Sequence, residues 1–264
     1  REPRIVASAA AFNPKQLVAG TSIGNPAADK STRVYIPDIH GRIWRVLTDS
    51  AAPPLLFADA GADQPFGNPV ALLNYAGSGV TARPHVFAES GNENRIFPPP
   101  ANTPPFKMFG LRDDDLGADP NALTDVVDGP AYELFYIDFP NGFRGTVQPA
   151  TAFNAAGNGR VFFAGTRFNP VSTPNAPPPP PCVSSFDSVL FAVGAETGGA
   201  AYDLNASGDD RSIQLNRQRI QAVRVSGGKL VVDVGLSAQN APPPPAPPTV
   251  NPPAPAPLAN VLMG

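Results

Sequence analysis

Arg33-Val-Tyr-Ile-Pro-Asp-Ile-His-Gly-Arg-Ile-Trp-Arg-Val46 is the stretch that decides the fold. Val34 to Ile36 and Arg42 to Val46 are short β-branched and aromatic runs and read as two strands. Asp38-Ile39-His40-Gly41 between them reads as a tight turn, with Gly41 taking the positive φ that other residues avoid. Working outward, the same texture recurs: short apolar runs at Pro69–Leu73, His85–Ala88, Arg95–Phe97, Lys107–Leu111, Glu133–Asp138, Gly145–Gln148, Arg160–Gly165, Val189–Val193, Ile220–Val225 and Lys229–Val234. The last two face each other across Gly227-Gly228 and read as a second hairpin. Helical periodicity is scarce, and residues 118–127 are the one stretch that reads as a short helix.

Composition agrees with this pattern. The 264 residues include 35 Pro and 24 Gly, about twice the ordinary share. Proline inside a helix costs ~3 kcal/mol and glycine ~1, so long helices and coiled coils are excluded. No Gly-X-Y period is present, which excludes collagen. The 16 Phe and 5 Tyr, with many Val and Ile, supply a core and argue against wholesale disorder. The reading is therefore all-β, with many short strands and aromatic strands recurring at Val34-Tyr35, Val161-Phe162-Phe163 and Val189-Leu190-Phe191. Strand pairs spread over this length favour radial repetition, a β-propeller of about five or six blades, over a single sandwich.

The prolines cluster. Pro98–Pro105 lies between two strands, Pro177–Pro181 precedes Cys182, and Ala241–Pro257 precedes an apolar segment, Leu258–Gly264. The expected division is residues 1–240 as the propeller, 241–257 as a proline-rich linker and 258–264 as a docking or closing strand. Polyproline stretches stay solvated, so they read as surface segments, or else as ligands for aromatic grooves of a partner.

The net charge of −3 gives no electrostatic case for nucleic acid, and no polybasic run points to a membrane surface. No apolar run approaches the ~20 residues of a bilayer span. Cys182 is the one cysteine, so it is a free thiol or pairs outside this sequence. The start at Arg1 reads as a mature product or a fragment. Low Lys with high Pro, Asn, Thr and Gly is similar to exported bacterial surface proteins.

Five motifs in order resemble one family. Val34–Val46 is similar to the "VYxxDxxGxxWR" strand pair of the PilC/PilY family of type IV pilus tip and biogenesis proteins. Leu56-Phe57-Ala58 followed by Gln64-Pro65-Phe66-Gly67-Asn68-Pro69 is similar to its "LF…QPI…P" segment. Tyr136–Arg144 resembles "W-x-LDLP-x-GER", Gly159–Thr166 resembles "GRVxFTT", and Cys182 with Ser188–Val193 and Glu196–Gly199 resembles "C…SWLxxLDxxTGG". The resemblance covers residues 33–210. It implies the C-terminal, quinoprotein-like β-propeller of an exported pilus tip adhesin and assembly factor, working at the cell surface with type IV minor pilins. It also implies an N-terminal region that nothing in this sequence resembles. The family's Trp in the "LDLP" segment is Phe135 or Tyr136 here.

Candidate site residues are few. Asp203, Asn205, Ser207 and Asp209 alternate oxygen side chains around Gly208, as in the first half of an acidic calcium loop, and the family's regulatory calcium loop implies the same role. Arg211 and Gln214 stand where that loop wants further ligands, and the alternative is an Asx-rich turn. Asp113-Asp114-Asp115 reads as a solvated acidic loop. His40 reads as a surface turn residue, and it and His85 lack zinc-enzyme spacing. Trp44 reads as packing between blades. Asn205-Ala206-Ser207 fits a glycosylation sequon. No catalytic motif stands out, so the reading is a non-enzymatic adhesin or assembly factor. A propeller enzyme of the quinoprotein kind and a structural subunit of a surface fibre are the alternatives.

Overall fold

A computed structural model describes residues 10–12, 33–48, 51–75, 83–91, 104–114, 131–169, 185–201, 211–216 and 218–236. The expected helix at 118–127, the strand at Arg95–Phe97, Cys182, Asp115, the loop carrying Asp203, Asn205, Ser207 and Asp209, the proline runs at 98–103, 177–181 and 241–257, and segment 258–264 lie outside the described residues.

The described residues are all-β and contain no helix. β1 (Ala10–Phe12), β2 (Arg33–Pro37), β3 (Arg42–Leu47) and β4 (Leu55–Asp59) form a first antiparallel sheet in chain order. β5 (Ala71–Tyr75), β6 (Arg83–Glu89), β7 (Lys107–Arg112) and β8 (Tyr132–Asp138) form a second in the same way. β9 (Arg144–Gly145) leads into a third sheet of β10 (Ala150–Phe153), β11 (Gly159–Asn169), β12 (Ser185–Gly194) and β13 (Ser212–Leu215). β14 (Gln218–Ser226) and β15 (Lys229–Leu236) make a hairpin, the fourth sheet.

Both hairpins read from sequence form where expected. Gly41 has φ 79°, and a Cβ there would lie 2.0 Å from the carbonyl oxygen of Gly61, so positive φ and close approach both require glycine. Gly227 and Gly228 have φ 56° and 73°, the two positive values of a type I′ turn.

The sheets stack face to face in chain order, with one apolar layer in each gap. Tyr35, Ile43 and Phe57 of the first sheet meet Val86, Ala88 and Phe109 of the second. Leu73, Phe87 and Ile137 on the other face of the second meet Val161, Phe163, Val189 and Phe191 of the third. Phe162, Ala164, Leu190 and Ala192 then face Ile220 and Val223 of the fourth. Alternate residues of β6, β11 and β12 thus bury opposite faces, which is why these strands read as unbroken apolar runs. Phe163 and Phe191 stack at 4.6 Å between centroids, with the Phe139 ring edge-on to both.

The repeat is visible in register. Ala10, Ala71 and Ala150 in the first strand of each sheet pair with Tyr35, Phe87 and Phe162 in the second. Three residues beyond the first two aromatics, Asp38 and Ser90 donate their backbone N–H to the carbonyls of Arg42 and Lys107, each at 2.8 Å. Arg42 pairs with Asp59, and Lys107 with Asp138, at matching register. The aromatic repeat therefore runs Tyr35, Phe87, Phe162. Val189-Leu190-Phe191 is instead the strand beside Val161–Phe163 in one sheet.

Two expectations need correction. Gly145–Gln148 is not a strand: β9 stops at Gly145, because the Val147 N–H turns to the carboxyl of Glu89. Asp113 and Asp114 do not form a solvated loop: Asp113 is 2% exposed, and arginines gather around both.

Candidate functional site

The polar chemistry of the described residues lies at the two ends of the sheet stack. At one end, Asp38 closes the β2–β3 turn and is fully buried. Its Oδ1 accepts the backbone N–H of His40 at 2.8 Å and of Arg42 at 3.1 Å, and its Oδ2 accepts the indole N–H of Trp44 at 3.1 Å. Its carbonyl takes the N–H of Phe66 at 3.0 Å, which ties the turn to the chain entering the second sheet. His40 sits half-buried in this turn, and Trp44 is half-buried with its N–H on Asp38.

Ser90 repeats the arrangement one sheet on. Its hydroxyl accepts the Lys107 N–H at 2.7 Å and donates to Gln64 Oε1 at 2.6 Å, and its carbonyl takes the N–H of Gly145. The neighbouring residue, Glu89, is among those that sequence reasoning missed. Its side chain fills the space where a Cβ of Gly145 would stand, at 2.7–2.8 Å. Its Oε1 accepts the N–H of Val147 at 2.9 Å and lies 3.4 Å from the Asn68 amide. Burial pushes the Glu89 carboxyl well above the ordinary carboxylate range, against the opposing pull of the Val147 and Ala164 N–H groups. The one sequence signal for it is an acid ending the apolar run Pro84–Ala88.

At the opposite end, Asp113 lies between the first and second sheets. It accepts the Tyr35 hydroxyl at 2.6 Å and pairs with Arg45 at 2.5 Å and Arg33 at 3.3 Å. Burial, then the Asp113 carboxylate, raises the Tyr35 phenol far above its usual range. Asp114 pairs with Arg83 and Arg112. These guanidinium groups hold its carboxyl below the usual range, although its burial alone acts the other way and is the largest influence.

His85 lies on β6 beside Phe87, buried, with Nδ1 3.0 Å from the Arg83 carbonyl. Burial lowers it to about 4. The two histidines lie in different sheets. Among the described residues no three His, Cys, Asp or Glu side chains gather as a metal set. Between the third and fourth sheets, Thr146, Thr166 and Ser188 link their hydroxyls at 3.0 and 3.1 Å, and the Ser188 hydroxyl donates to the Gln218 carbonyl at 2.9 Å and accepts the Ile220 N–H at 3.1 Å.

The Asp113, Glu89 and Ser188 clusters therefore join different sheets across their junctions, while the Asp38 side chain closes its own hairpin. Chemically these arrangements fix the relative position of neighbouring sheets. Compared with protein-family models, curated proteins and solved structures, the chain matches none.

Proposed function

We propose that this chain is the propeller-type scaffold of an exported, pilus-associated protein, a tip adhesin or assembly factor that binds minor pilins or a surface. The observation that carries the reading is the repetition. Two four-stranded meanders, a third meander of β10 to β13 to which β9 adds a short strand on β11, and a hairpin follow one another, and the leading meander strands touch in series: β1 with β5, β5 with β10, and β10 with β14. First strands side by side, with sheets stacked outward from them, support the propeller reading. The Gln148 amide to the Val70 carbonyl and the Thr151 hydroxyl to the Leu72 carbonyl, at 3.1 and 2.9 Å, strengthen that inner seam.

The pilus assignment rests on the five collinear motifs, whose Asp38, Gly41 and Trp44 support the closing turn of the first sheet. Residues 90–106 and 170–184, which follow β6 and β11 in sequence, carry the proline clusters, and β6 and β11 finish at one end of their sheets: Ser90 accepts the N–H of Gly145, which pairs with Gly165 of β11. That end is the face we assign to the partner. The candidate calcium loop at Asp203, Asn205, Ser207 and Asp209 belongs to the same reading and would tune that binding.

The test is a binding titration of the full chain against purified minor pilins. Saturable binding that weakens at least tenfold when Pro98–Pro100 and Pro177–Pro181 are replaced by Gly-Ser supports the assignment. No binding to any minor pilin, in calcium or without it, overturns it.

A further inference from the structure

The fourth sheet is shorter than its three predecessors. Among the described residues it holds β14 and β15 alone, and β15 pairs with β14 on one side only. The hairpin turn sets which backbone groups face outward. With two residues in the turn, the flanking pair Ser226–Lys229 is the hydrogen-bonded one, so the N–H and C=O of Leu230 and Val232 point to the open edge. The apolar layer beneath is also incompletely covered. Ile213 and Leu215 of β13 and Leu230 and Val232 of β15 are only partly buried, and Val234 is 39% exposed. A bare strand edge with apolar flanks is a template for another strand.

We propose that the occupant is this chain's own segment Leu258–Met263, laid antiparallel along β15 as the third strand of the fourth sheet. Position in the repeat argues for it. In the second and third sheets the second and third strands are joined by residues 90–106 and 170–184. Both connections are proline-rich, with Pro105 two positions before β7 and Pro181 four positions before β12. Residues 237–257 follow the second strand of the fourth sheet with the same composition, and Leu258 stands directly after Pro257.

The segment is suited to the place. The third strands Met108-Phe109 and Val189–Val193 bury successive residues on opposite faces, and Val261-Leu262-Met263 offers the same unbroken apolar run. A polyproline stretch advances ~3.1 Å per residue, so residues 237–257 reach ~65 Å. That exceeds the length of β15, eight residues at ~3.3 Å each.

The experiment is amide hydrogen exchange by NMR on the full chain, its Val261→Pro/Leu262→Pro variant and a Val250→Pro control. Adjacent prolines remove a ladder donor whichever of the two faces β15. The expected result is that the Leu230 and Val232 amides exchange at least ~10-fold more slowly in the full chain and the control than in the double variant. The Phe87 and Phe162 amides should stay protected in all three, which shows that the fold survives. Fast exchange of Leu230 and Val232 in the full chain, or protection unchanged by the double variant, overturns the proposal. Protection that rises with protein concentration alongside a dimer also overturns it, because a second copy then holds the edge.

Discussion

The hydroxyl of Tyr35 and the carboxylate of Asp113, 78 positions apart, meet at 2.6 Å between the first and second sheets. The phenol donates, and Arg33 and Arg45 supply the countercharge. Tyr35→Phe removes one hydrogen bond to a charged group and should cost about 1.5–3 kcal/mol. Asp113→Ala removes the buried carboxylate that both guanidinium groups pair with and should cost more, about 3–5 kcal/mol. Urea unfolding of both variants checks the order; equal costs would remove Asp113 from the centre of the cluster.

His85 and Glu89 give opposing pH dependences. Below pH ~6.5 the unfolded chain binds a proton at His85 that the folded chain refuses until about 4. Stability from His85 is therefore complete above ~6.5 and falls as pH drops through that window, by about 3 kcal/mol in all. Glu89 runs the other way. Its folded carboxyl holds a proton that the unfolded chain releases near ~4.3, so its contribution is complete below that pH and declines as pH rises. His85→Leu should flatten the acid side of a melting-temperature profile, and Glu89→Gln should gain on the parent as pH rises above ~5. Parallel profiles for parent and variants would refute the linkage.

Gly110 lies under the ring of Phe135, and a Cβ there would stand 2.4 Å from the ring edge. The other side of the ring faces Gly198, at 2.8 Å from its Cβ position, so the ring has nowhere to retreat. Gly110→Ala should cost about 1–3 kcal/mol by overpacking. In a double-mutant cycle, Phe135→Leu should recover part of that cost, and additive effects would show that the two residues do not press on each other.

Asp38→Ala leaves the N–H groups of His40, Arg42 and Trp44 without their acceptor, a loss of at least about 2 kcal/mol. Trp44 is the single tryptophan, so its fluorescence reports the turn directly. A red-shifted emission and an earlier unfolding midpoint are expected; unchanged emission would show that the carboxylate does not hold the indole.

Much of the strand pattern was legible because the central strands are buried on both faces. Val161–Ala164 and Val189–Val193 read as strands from apolarity alone. β1, β4, β10 and β13 did not, because first and last strands are short and one is as plain as Ala150-Thr151-Ala152-Phe153. The Asp38 turn was legible since glycine and aspartate act locally there. Asp113 and Glu89 were not, since the partners that bury them, Tyr35 and Val147, lie 78 and 58 positions away and leave no local trace.

Stacking in chain order makes the energetics nearly one-dimensional, since among the described residues each sheet buries its apolar faces against the sheets before and after it. A chain emerging from its N-terminus can close each layer on the one just finished, without waiting for a distant segment. Damage to the last layer is then local, and the first two sheets keep their shared core whether or not the fourth is ever completed.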